Sequence, residues 1–278
     1  MSTHVLHTPV LPTSPGSAHR IRVTPARVVR SEWIKFWSLR STLTTLAAAA
    51  ALMIGIGLLA SSMFHSGGSG AGTPGSATPG NPVSASLAGT TFGQLAYGTL
   101  GVLLMAGEYS TGMIRSSLTA VPTRLPVLWA KCLVLTVVGF VVALASSAIA
   151  FTAGQALIGH AGASWTDPGV ARAVIGTAVV LTGSGILGLA LGAILRSTPA
   201  AITSLFGVLF LITGVAGLLL PTSWSAVQEY LPANAANAFT AVTHAADTLT
   251  PWTGLAVFAG YVVAALAAAA VRLKRSDA

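Results

Sequence analysis

The chain has 278 residues, 53% of them hydrophobic and only 7% charged, with a net charge of +8 and a mean hydropathy of +0.78. Soluble domains carry about a quarter of their residues as charges, so the composition excludes a water-soluble globular protein and points to a membrane protein. A single cysteine, Cys132, excludes a disulfide framework and any multi-cysteine metal site. The positive charge is spread along the chain rather than gathered in one groove-filling patch, so anionic lipid headgroups are a simpler partner than nucleic acid.

Residues 1–24 are polar and contain Pro9, Pro12 and Pro15 together with His4, His7 and His19. They lack the apolar core of a secretory signal peptide and are expected to form a disordered cytoplasmic tail. His4 and His7 have no third ligand in view, so no metal is expected. Residues 25–42 change character. Within Pro25–Arg40, Val29, Trp33, Phe36 and Trp37 fall at helical spacing on one face, while Arg27, Arg30 and Lys35 lie largely away from it. Pro25 suits a helix start. Tryptophans beside basic residues describe a helix in the headgroup layer, with Trp33, Phe36 and Trp37 as interfacial anchors; a flanking segment that only sets orientation is the alternative.

From residue 43 to 278 the pattern is a membrane domain with six uncharged apolar spans, at about 43–64, 87–106, 133–157, 174–195, 200–220 and 254–271. The first loop, His65–Ser86, is a Gly/Ser/Pro linker that cannot bury a core. Arg196-Ser-Thr-Pro199 is a tight turn between the fourth and fifth spans, and Pro221–Trp252 is a polar loop in which Ala233–Ala246 suits a surface helix. With both termini in the cytoplasm, every Lys and Arg except Arg172 falls on the cytoplasmic side, and the outer loops take Asp167, Glu229 and Asp247. The opposite orientation reverses this bias, so the positive-inside rule sets the topology. The expected fold is therefore all-α and polytopic.

No bond-making constellation is present. GxxxxGK[ST], HExxH and GxSxG are all absent from the sequence, so this chain is not expected to be an enzyme. The spans show no Asp, Glu, Lys or Arg at depth, which removes the usual relay of an ion-coupled carrier. Gly188 and Gly192 form a GxxxG in the fourth span, a packing motif that serves contacts within the chain or a dimer seam. The stretch Gly107–Arg124, GEYSTGMIRSSLTAVPTR, concentrates Glu108, Arg115 and Arg124 at the end of the second span. A carboxylate there must be paired or wet. Gly107 and Gly112 bracket it, so the helix is expected to bend, and Ser110–Val121 can follow as a surface helix before Pro122. Spacing alone leaves an ordinary solvated loop equally open.

SEWIKFWSLRST (Ser31–Thr42), GEYSTGMIRSSLTAVPTR and the following LPVLWAKCLV (Leu125–Val134) together resemble ABC-2 type ABC transporter permease subunits of high-GC bacteria. The resemblance runs from about Arg27 to Arg275. It implies an N-terminal interfacial connecting helix and a cytoplasmic coupling helix between spans two and three. Glu108, Tyr109, Gly112 and Arg115 match the family's Glu-Tyr-x-x-Gly-x-x-Arg pattern and would form the ATPase-coupling site. The implied partners are a separate ABC ATPase subunit, which would hold the ATP and Mg, and a second permease copy, identical or not. The implied setting is the bacterial plasma membrane. Charge-free spans suit export of a hydrophobic or amphipathic compound such as a drug, antibiotic or lipid-like molecule. A membrane scaffold or assembly protein and a secondary carrier are the alternatives.

Overall fold

The computed structural model describes residues 24–66, 81–113, 125–219, 221, 224–243 and 248–275. Those residues are almost entirely helical, and no strand occurs among them. In chain order the helices are α1 (Pro25–Ser38), α2 (Arg40–His65), α3 (Pro82–Ser86), α4 (Thr90–Ser110), α5 (Leu125–Ile158), α6 (Val170–Leu195), α7 (Thr198–Phe206), α8 (Ile212–Leu219), α9 (Ser225–Glu229), α10 (Pro232–Thr240) and α11 (Pro251–Arg275). A five-residue π turn, Gly207–Leu211, joins α7 to α8 into one continuous apolar helix. Proline supplies the first turn of α1, α3, α7 and α10, where a missing N–H leaves no helical bond unmade.

Five helices are long and apolar enough to cross a membrane: Arg40–His65, Leu125–Ala161, Val170–Leu195, Thr198–Leu219 and Pro251–Arg275. The chain is thus a multi-pass membrane protein. The second expected span is a helix, α4, but it is not among these five. It carries Gln94, Tyr97 and several glycines on buried positions, because its surroundings are protein rather than lipid.

α4 and α6 form the most extensive helix pair, with α2, α5, α7 and α11 around them. Small residues make that pair possible. A Cβ on Gly188 would collide with the Gly98 carbonyl oxygen, and one on Gly101 with the Gly185 carbonyl oxygen. The GxxxG of α6 is therefore occupied inside the chain, and Gly192 continues it against Val102 and Ala106. Of the α6 window, 67% is buried, against 11% for Thr198–Leu219, so α6 is the axis of the bundle and the α7–α8 helix its periphery. Along that helix Ala201, Leu205 and Leu209 face inward at four-residue spacing, and no residue of α8 is buried.

The two ends of the bundle are closed differently. At one end α3 is pinned between α2 and α5. Gln155 donates to the Pro82 carbonyl oxygen and to Ser86 Oγ, both at 2.9 Å, and the Ser61 and Ser86 hydroxyls lie 3.0 Å apart. His65 Nδ1–H donates to the Ile158 carbonyl oxygen at 3.2 Å. At this same end α10 is not the surface helix expected around Ala233–Ala246: Ala235, Ala236, Ala238 and Phe239 are buried, and residues 244–247 lie outside the described ones. Gly176 and Gly254 make room for it, and Arg172 donates to the Phe239 and Ala241 carbonyl oxygens at its C-terminus. The one basic residue that sequence topology places on the outer side is thus a helix cap. At the opposite end lie the starts of α2, α5 and α7 and the ends of α4, α6 and α11. Every other described Lys and Arg is found there.

Candidate functional site

α1 lies across that basic end and meets α5 closely and α2 slightly. Its inward stripe is Val28, Glu32 and Phe36, at i, i+4 and i+8. Of the residues expected as interfacial anchors, Trp33 and Trp37 are exposed and Phe36 is buried against the bundle, with Val29 half-buried. The helix has turned to put a glutamate inside. Trp33 and Trp37 pack on each other with ring centroids 6.1 Å apart, and Phe36 meets Trp37 edge-on at 6.0 Å.

Glu32 is inside because two lysines are there to meet it. Lys35 Nζ donates to Glu32 Oε1 at 2.9 Å, and Lys131 Nζ donates to Glu32 Oε2 at 2.7 Å. Both lysines also reach Glu108 Oε1, Lys131 at 2.7 Å and Lys35 at 3.2 Å. The four side chains close a ring of alternating charge with no net charge. Its members come from three helices: Glu32 and Lys35 from α1, Glu108 from the last turn of α4, and Lys131 from the second turn of α5. Side-chain exposure is 4% for Lys131, 6% for Glu32, 10% for Glu108 and 28% for Lys35. Val28, Val127 and Ala130 form an apolar patch beside the ring. Burial by itself would lower the Lys35 pKa, but the hydrogen bond and charge of Glu32, followed by those of Glu108, outweigh it and leave the pKa raised. Glu108 Oε2 is buried and accepts no hydrogen bond among the described residues.

The helix does not break at Gly107. α4 runs through Glu108 and Tyr109 to Ser110, closed by Ser110 Oγ and Thr111 Oγ1 donating to the Gly107 carbonyl oxygen, each at 2.9 Å. Gly112, at φ +73°, ends the path in the left-handed region that glycine takes without strain. Tyr109 points away from the ring to the α6–α7 turn, where the Arg196 guanidinium lies 5.2 Å from its ring centroid. Arg196 has φ +55°, the only positive φ of a non-glycine among the described residues, and its Nε is buried without a hydrogen bond. Adjacent residues of α4 therefore grip two different neighbours, α1 and α5 through Glu108 and the α6–α7 turn through Tyr109.

Of the residues singled out from sequence, Glu108, Tyr109 and Gly112 sit together at the end of α4. Arg115, Arg124 and most of the expected coupling segment Ser110–Val121 lie outside the described residues. Gly188 and Gly192 belong to the α4–α6 seam and take no part in the ring. Sequence reasoning missed Glu32 and Lys131 as members of the site. The correction comes from helix length: α4 continues four residues past Ala106, and α5 begins eight residues before Leu133, so Glu108 and Lys131 fall inside helices and inside the packing. Scarcity of charge was the available signal. Glu32 and Glu108 are the first two of six acidic residues, and Lys35 and Lys131 are the first two of three lysines.

The arrangement offers no nucleophile–base pair. What it does is fix three helices at one end of a membrane bundle. No protein-family model matches the chain, and no curated protein matches it.

Proposed function

We propose that this chain is the membrane subunit of an ABC transporter of the ABC-2 permease type. In this reading it spans the membrane six times, α4 being the second span in addition to the five long apolar helices, with both termini in the cytoplasm of a bacterial cell. It works with a second permease copy and separate ATPase subunits that carry the ATP and Mg. The observation that carries the reading is the charge ring, which ties the α1 segment to the helix end bearing Glu108-Tyr109-x-x-Gly112. These are the two segments whose sequences resemble the connecting and coupling helices of that family.

The distribution of buried charge supports an external source of energy. Among the described residues the buried charged side chains are Glu32, Glu108 and Lys131, all at one end. The buried hydroxyls along α6 are bonded to carbonyls of their own helix: Thr177 to Ala173, Thr182 to Ala178 and Ser184 to Val180. A proton- or ion-coupled cycle has no group to work with there. Hydrolysis by a partner, favouring one arrangement of two bundles over another, would drive transport. Apolar exteriors and hydroxyl-bearing helices suit a hydrophobic or amphipathic cargo moved outward.

The test is affinity purification of the full chain in native-like lipid, with mass spectrometry of what accompanies it. A P-loop ATPase at near-equal amount is expected, and it should be lost on Arg115→Ala in a chain that still inserts and folds. A chain that inserts and folds normally yet retains no ATPase would overturn the permease reading in favour of a membrane scaffold.

A further inference from the structure

The ring divides into two halves, each already neutral. Glu32 and Lys35 pair with each other along α1, one turn apart at 2.9 Å. Glu108 and Lys131 pair with each other within the bundle at 2.7 Å. Two ion pairs cross between the halves, Lys131–Glu32 at 2.7 Å and Lys35–Glu108 at 3.2 Å. An ionic staple of the ordinary kind places one sign on each side, so opening it strands a lone charge in a poorly solvated site, which is strongly unfavourable. Here opening strands none.

We propose that the ring is a separable latch by which α1 docks on and leaves the α4–α5 end of the bundle as a unit, each half keeping its own ion pair.

Two further observations point the same way. α1 joins α2 through a single non-helical residue, the exposed Leu39 at φ −83° and ψ +111°, so rotation at one residue swings the whole of α1. Among the described residues Glu108 Oε2 is a buried acceptor with no partner, and a donor arriving there with α1 aside would stabilise the open state of the bundle half. The apolar contacts of Val28 and Phe36 hold α1 closed; the charges set its register without making its departure prohibitive. This latch is a property of the chain itself and does not depend on the permease reading.

The experiment uses the full chain in lipid nanodiscs, in a Cys132→Ala background. Val28→Cys reports on α1 release through its reaction with a soluble maleimide, because Val28 is buried against the bundle. Leu181→Cys, in the α6 core, reports on general unfolding. Exchanging the charges of one half (Glu32→Lys with Lys35→Glu) keeps that half neutral but sets like charges against each other across the seam. The position-28 thiol should then react about tenfold faster or more, like charges in contact being disfavoured by several kcal/mol, while the position-181 thiol stays protected. Exchanging both halves, with Glu108→Lys and Lys131→Glu added, should restore slow reaction at position 28. The latch is overturned if the half exchange leaves the position-28 rate unchanged, if the double exchange fails to restore protection, or if position 181 opens together with position 28. No ATPase is needed for any of these readouts, so a failed latch and a failed partner assignment give separate results.

Discussion

Lys131→Met is the sharpest single perturbation of the ring. Methionine fills nearly the same volume, so the change isolates the charge. Lys131 Nζ is 2.7 Å from a carboxylate oxygen of both Glu32 and Glu108, and its side chain is 4% exposed. Without it two largely buried carboxylates share Lys35, and if α1 swings away Glu108 keeps no cation among the described residues. Breaking a buried pair by removing one partner costs about 3–5 kcal/mol, which lowers the thermal midpoint of a chain this size by roughly 10 °C. Lys35→Met removes the same formal charge from a site with 28% exposure, where solvent screens what is left, and costs only about 1 kcal/mol. Replacing the whole ring (Glu32→Leu, Lys35→Met, Glu108→Leu, Lys131→Met) leaves no orphan and should fall within about 1–2 kcal/mol of the parent. Midpoints from heating followed by size-exclusion chromatography in one detergent give all three values. Equal shifts for Lys131→Met and Lys35→Met, or a fourfold variant less stable than Lys131→Met, would refute the argument from burial.

Other expectations follow from geometry elsewhere. Gly188→Ala drives a methyl into the Gly98 carbonyl oxygen and should destabilise by about 1–3 kcal/mol, whereas Gly260→Ala meets open space inside a helix and should hold or raise the stability, by up to about 1 kcal/mol. Arg196→Gly and Arg196→Ala both lose the contact with Tyr109, but only glycine accepts φ +55° without strain, so the glycine variant should be the more stable by about 1 kcal/mol. Arg172→Gln weakens the capping of α10 and should speed hydrogen exchange at the amides of residues 237–241 while leaving the amides of α6 alone. The Lys35 pKa is raised in the folded state, so its stabilisation is complete below the unfolded value near about 10.4 and lost as pH rises through the folded one. The midpoint difference between parent and Lys35→Met should therefore be level from about pH 7 to 9 and vanish only in more alkaline solution.

The helices were legible because apolar runs in lipid need little else. The Pro25 start, the Arg196–Pro199 turn and the runs beginning near Leu43, Val174 and Gly254 could be read one residue type at a time. The site was legible only in part. Glu108 stood out as an isolated carboxylate beside glycines, but its partners lie 73 positions before it and 23 after, at Lys35 and Lys131, and no periodicity links them. Which face of α1 meets the bundle was not legible for a related reason. A hydrophobic stripe identifies which face is apolar, and on this helix both faces are: Val28 and Phe36 face the bundle while Trp33, Ile34 and Trp37 are exposed. Charge complementarity decided the rotation, and that depends on residues of other helices. Arg172 carries the same lesson, since a count of charges by side cannot show that its donors are occupied by the carbonyls of α10.

The π turn at Gly207–Leu211 amounts to one surplus residue in a helix otherwise of α pitch. Like a dislocation in a crystal, it lets the rows on either side keep their register while holding an extra member between them. Deleting one residue within the turn should leave Thr198–Phe206 and Ile212–Leu219 facing as they do now, whereas a deletion in either flank turns the remainder by about 100°. Such a defect can also travel. If the skipped carbonyl moves along the chain, only the residues between its old and new positions rotate, and neither end unwinds. It lies in the helix that its neighbours cover least, where few side chains resist the exchange of one face for another.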